Sequence, residues 1–130
     1  MTICEEFMQK DKFARHTGIE LLEISPGKAK ARMEIREEHK NGMDVVHGGA
    51  IFTLADLVFA AASNSHGIPA LAVNVSISYL KKVTSGTLTA EAREISINPK
   101  LGSYTVEVTD ENRDLIAIFQ GMVYRKTGKK

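Results

Sequence analysis

One stretch constrains this chain more than any other. From Val45 to Leu80, 36 residues pass with a single formal charge, Asp56. At the chain's charged content of 25%, a run of that length would carry about nine charges. A segment so poor in charge belongs inside the molecule or against another surface, and a lone carboxylate within it is costly to bury. The pattern changes midway. From His47 to about Ser65 apolar residues recur at helical spacing, and the helix is expected to end near Gly67 and Pro69. In PALAVNVSISYL the period falls to two, with Leu71, Val73, Val75, Ile77 and Tyr79 opposite Ala72, Asn74, Ser76 and Ser78.

The flanking sequence supplies the other elements. Residues from about Cys4 to His16 read as one short helix stopped by Gly18. GIELLEIS reads as a strand and Pro26-Gly27 as a turn. KAKARMEIR alternates cleanly, with Ala29, Ala31, Met33 and Ile35 on one face and basic or acidic residues on the other. Three further strands follow: GTLTAEAREIS, GSYTVEVTD and DLIAIFQGMVYR. Their connections, KKVTSG, NPKLG and DENRD, are short and turn-rich, which predicts that the last four strands form an antiparallel meander. With one long helix to cover an apolar sheet face, the expected class is α+β, an antiparallel sheet wrapped around that helix. No repeat or linker-like composition interrupts residues 1–130, so one domain is expected.

At 100° per residue the helix has an apolar arc of Ala50, Ile51, Leu54, Leu57, Val58 and Ala61. The remaining stripe, Thr53, Asp56, Ala60, Ser63 and Asn64, has neither Lys nor Glu. Such a small, polar stripe suits close approach by a ligand or a second subunit, and points to a homo-oligomer. His47-Gly48-Gly49 opens the helix. First-turn amides lack internal partners and carry the positive end of the dipole, so this is a candidate oxyanion site. Asp56 lies about 13 Å further along at 1.5 Å per residue, too far to share one carbonyl carbon within a chain. Across a two-fold axis, Asp56 of one copy could meet Gly48 of another.

Bulk properties narrow the partners. A net charge of +1 argues against nucleic acid. Cys4 is the only cysteine, which fits a reducing, cytoplasmic compartment and excludes an internal disulfide. MTICEEFMQKDKF has no basic segment before an apolar core, so no signal peptide is expected. The apolar run Ala50 to Ala62 is too short for a membrane span. His16, His39, His47 and His66 form no familiar metal spacing, and no metal or other cofactor is expected.

The run NGMDVVHGGAIFTLAD, from Asn41 to Asp56, resembles the signature of hotdog-fold acyl-CoA thioesterases of the phenylacetic-acid-degradation type. The correspondence continues through NSHG after the helix, SISYL in the next strand and the PKLG hairpin. The resemblance implies a hotdog fold, a homodimer or homotetramer, and hydrolysis of an aryl-acetyl or short- to medium-chain acyl-CoA. It implies that Asp56 attacks the thioester or activates water, that the Gly48 amide of the partner polarises the carbonyl, and that Asn41 and His47 shape that end. It places Gly49 and Val73 at the substrate. Coenzyme A carries phosphates, so Lys81, Lys82 and Lys100 are candidates to hold its nucleotide end. Some relatives carry a hydroxyl residue where this chain has Ala72, which leaves nucleophile and general base both open for Asp56. The alternative is a non-catalytic hotdog protein that binds acyl-CoA. Phe52, Phe59, Met43 and Tyr79 are candidate walls of an acyl pocket.

Overall fold

A computed structural model describes residues 1–127. Two short helices, α1 (Ile3–Lys10) and α2 (Lys12–Thr17), precede β1 (Ile19–Ser25) and β2 (Lys28–Glu34). A single 3-10 turn (Glu37–His39) leads to the long α3 (Gly48–Ser63). Four strands complete the order: β3 (Ala70–Tyr79), β4 (Thr87–Ile97), β5 (Leu101–Thr109) and β6 (Leu115–Arg125).

The N-terminal segment is two helices where the sequence pattern predicts one. Asp11 leaves helical geometry, ends α1, and accepts the Ala14 amide at 3.0 Å to start α2. A carboxylate that can cap competes with helix continuation, which breaks the run there. Gly18 then closes α2 in the left-handed region, as its sequence position predicts.

All strand pairs are antiparallel, in the order β1-β2-β4-β5-β6-β3. The meander is therefore β4-β5-β6 alone. β3 does not pair with β4; it crosses to the far edge and pairs with β6. The connection behaves as a strap, not a hairpin: its Val83 carbonyl accepts the Val46 amide at 2.9 Å and its Gly86 carbonyl accepts the Ile35 amide at 2.9 Å. Those bonds carry the chain past the start of α3 and deliver β4 beside β2.

A register shift between Ala72 and Asn74 corrects the face assignment as well. Leu71 is opposite the exposed Tyr124, whereas Val75, Ile77 and Tyr79 are opposite the buried Gly121, Phe119 and Ala117. One extra residue at Val73 moves Leu71 to the outer face and Ala72 to the inner one.

Helix α3 lies in the concave face. Leu54, Leu57 and Val58 are buried against Met33, Leu88, Val106 and Val108. Ala31, Ala90 and Ala92 on β2 and β4 let the helix come close. The buried arc is wider than the helical pattern predicts and takes in Ala55, Phe59, Ala62 and Ser63. Phe59 packs edge-on against Tyr104 and tilted against Phe119, over Gly121. Ser63 leaves the expected polar stripe because its hydroxyl donates to the Ala60 carbonyl and needs no solvent.

Candidate active site

The start of α3 is built by the loop before it. Asn41 accepts the Met43 and Val45 amides at 2.9 and 3.4 Å, and Asp44 takes the left-handed conformation that closes the turn. Lys40 bridges Val46, and the His47 amide donates to the His39 carbonyl at 2.7 Å. His39 itself is buried and committed: its Nδ1 accepts the Arg36 amide and its Nε2 donates to the Thr17 carbonyl.

His47 caps the helix, its Nδ1 accepting the Gly49 amide at 2.8 Å. An accepting Nδ1 puts the ring proton of the neutral imidazole on Nε2. The Ala50 and Ile51 amides donate to the His47 carbonyl. Among the described residues the Gly48 amide alone in this first turn meets no acceptor. It is half-buried and borders a cleft of about 320 Å³ that Val46, Tyr79, Lys81 and Lys82 also line. The helix dipole and this open N–H make the cleft suited to a carbonyl oxygen that gains negative charge.

Asp56 sits eight residues on, about 12 Å along the helix from Gly48. It is half-buried and, among the described residues, makes no hydrogen bond or ion pair. Burial pushes its carboxyl above the ordinary value, and the Asp11 carboxylate adds to the shift. Phe52 and Phe59 flank it at helical spacing, both against Phe119. A lone carboxylate kept basic beside aromatic surface is equipped to accept a proton.

The other expected site residues divide between two places. Asn41, His47, Gly48, Gly49, Lys81 and Lys82 gather at the start of α3. Lys81 is engaged there, paired with Asp114 and 3.8 Å from Asp110. Val73 and Lys100 lie toward the other end of β3; the Lys100 carbonyl accepts the Arg125 amide, opposite Ala70 in the register. Ten residues of strand, about 30 Å, separate those ends within one chain. Of the aromatic and Met candidates, Phe59 is core and Met43 is exposed on the loop. Phe52 and Tyr79 remain at the site.

One contributor and one role escape sequence reading. Asp11 acts on Asp56 from the α1–α2 break, which the helical pattern hides. Tyr79 donates its hydroxyl to the Gly48 carbonyl at 2.9 Å. The sequence marks Tyr79 as a candidate pocket wall, but its bond to the helix start has no local signal.

The profile of the thioesterase superfamily matches residues 43–117. A protein of Archaeoglobus fulgidus that carries an esterase name is 46% identical over 93% of this chain and 80% of its own length. The acyl-coenzyme A thioesterase PaaI of Escherichia coli is 33% identical over 92% of this chain and 86% of its own. Among solved structures, a mutant of the phenylacetic acid degradation protein PaaI of Thermus thermophilus superposes with a TM-score of 0.84 at 34% identity, covering 87% of this chain and 97% of that one.

Proposed function

The chain belongs to the thioesterase superfamily, and from that premise we propose that it hydrolyses an acyl-CoA thioester in a site shared by two copies. The observation that carries this reading is the pairing of a helix-start amide, Gly48, with a carboxylate, Asp56, about 12 Å away on the same helix, neither with a partner among the described residues. One chain cannot bring both to one carbonyl; two antiparallel copies can.

The edge strand supports the shared site. β3 ends the sheet, and Leu71, Val73, Val75 and Tyr79 are all exposed on it. A long apolar strand edge is a template for pairing with another copy. Antiparallel pairing of β3 with β3 about a two-fold axis runs the two α3 helices in opposite directions. Asp56 of one copy then approaches Gly48 of the other, and the partner's Lys100 end comes alongside Lys81 and Lys82.

In the reaction, the thioester oxygen accepts the Gly48 N–H. Asp56 takes a proton from water, whose oxygen bonds to the carbonyl carbon. The resulting oxyanion is held at Gly48 until the C–S bond breaks. Coenzyme A leaves as the thiolate, which the proton on Asp56 neutralises, and the free acid remains. Burial and Asp11 make this carboxyl a stronger base than an exposed aspartate, and the general-base route uses that basicity. The cleft of about 320 Å³ at Gly48, walled by Val45, Val46, Ile51, Leu80 and Val83, suits an aryl-acetyl or short- to medium-chain acyl group.

Mixed subunits test the shared site. Asp56→Asn and Gly48→Val are each expected to be inactive. Unfolding both together and refolding them should restore about a quarter of wild-type CoA release, since half the dimers carry one intact site of two. A mixture as inactive as its parents would refute the arrangement.

A further inference from the structure

Gly48 and Gly49 begin α3 side by side, and consecutive glycines leave the peptide between them unusually free to tilt. Here that peptide is held at both ends. Its N–H, on Gly49, donates to His47 Nδ1 at 2.8 Å; its oxygen, on Gly48, accepts the Tyr79 hydroxyl at 2.9 Å. Tyr79 is the last residue of β3 and sits opposite the buried Ala117, so its ring projects inward over the helix start. A Cβ on Gly48 would lie 3.0 Å from the ring's Cζ and 3.1 Å from its hydroxyl oxygen. A side chain at residue 48 would have to push that ring aside by a few tenths of an ångström, so glycine lets the ring sit directly over the backbone.

We propose that Tyr79 is a positioning residue for thioester hydrolysis: the Gly48 N–H lies in the preceding peptide, whose oxygen is held by the Ala50 and Ile51 amides, and Tyr79, bonded to the Gly48 carbonyl and packed over Gly48 Cα, fixes the other end of that peptide and so the aim of the N–H. This rests on the hydrolytic reading above. The hydroxyl of Tyr79 acts through Gly48, since its hydrogen bond goes to the Gly48 carbonyl. A preset donor stabilises an oxyanion because it need not reorganise as charge develops. Without the hydroxyl, Gly48 Cα keeps only its helical bonds and can shift, which loses that advantage while the affinity for the ester stays nearly the same.

The test is Tyr79→Phe, which keeps the ring against Gly48 and deletes only the hydroxyl. Steady-state CoA release should show kcat reduced about tenfold with KM changed less than about twofold. Affinity for a thioether analogue of the acyl-CoA, which has no carbonyl, should match wild type. The Gly49 amide should exchange faster with deuterium in the variant, a readout independent of turnover. A kcat within about twofold of wild type overturns the proposal. So does a fall in kcat accompanied by an equal loss of thioether affinity, which marks general loosening. A wild-type protein inert on every ester would instead refute the hydrolytic reading, and this inference with it.

Discussion

Replacing Gly121 by alanine tests how α3 is seated. Gly121 lies mid-strand in β6, opposite Tyr104 on β5 and Val75 on β3. A Cβ there would meet the Phe59 ring at 2.6, 2.7 and 2.9 Å. The ring cannot swing away, because it is 1% exposed with Tyr104 and Phe119 centroids at 5.9 and 5.3 Å. Reaching ordinary contact requires the ring, and α3 with it, to lift by about 1 Å. Overpacking of that kind costs about 3 kcal/mol. Alanine returns about 1 kcal/mol in a strand interior, leaving a net loss near 2 kcal/mol. For 130 residues the unfolding entropy is about 0.27 kcal/mol/K, so Tm should fall by about 7 °C. Calorimetric melts at matched protein concentration measure it. Phe59→Leu in the same chain should relieve the clash, so the double variant loses less than the sum of the singles by about 1 kcal/mol or more. A Tm within about 2 °C of wild type, or strict additivity, would refute the packing argument.

Asp56 carries two further predictions. Because its pKa is raised by burial and by Asp11, kcat/KM should climb with pH through a value above 3.8, the ordinary one, as the carboxylate forms. The same shift predicts stability in the opposite sense: its contribution is full below the unfolded pKa and is lost as pH rises through the folded one. Asp56→Asn should therefore melt higher than wild type at pH 7, with the gap closing in acid; an equal or lower melt at pH 7 contradicts the burial cost. For the role of the carboxylate, a single turnover in ¹⁸O-labelled water should label the released acid and leave Asp56 unlabelled. Label found in Asp56 would make it the nucleophile.

What was legible in the sequence is what local patterning governs. The charge-poor helix, the alternation in β2 and the Gly18 stop depend on neighbours in the chain, and all three appear where expected. The position of β3 was not legible. A short polar connection normally means a hairpin, but Val83 and Gly86 are claimed by the chain before α3 and by the end of β2, contacts no local pattern announces. The shift at Val73 is invisible for a similar reason, since an extra residue in a strand leaves alternation on either side intact. Within the site, Gly48 and Asp56 stood out as a helix opening and a misplaced charge. Asp11 did not, and Tyr79 did only as a pocket wall and not as a partner of Gly48, because each acts from an element distant in sequence. The same holds for His66, Glu94 and Tyr104. Burial opposes the charge on Glu94, but hydrogen bonds from the other two outweigh it and hold its carboxyl low.

The most direct test of the account is CoA release from acetyl- to palmitoyl-CoA, with phenylacetyl- and benzoyl-CoA included, for wild type and Asp56→Asn. Cys4 is free and half-buried, so its one-equivalent reaction with a thiol reagent must be subtracted. The account predicts turnover by the wild type and a loss of about a hundredfold or more in the variant, about 2.7 kcal/mol of transition-state stabilisation. Wild-type turnover that survives in Asp56→Asn, or esters that bind both proteins with no release from either, would contradict it.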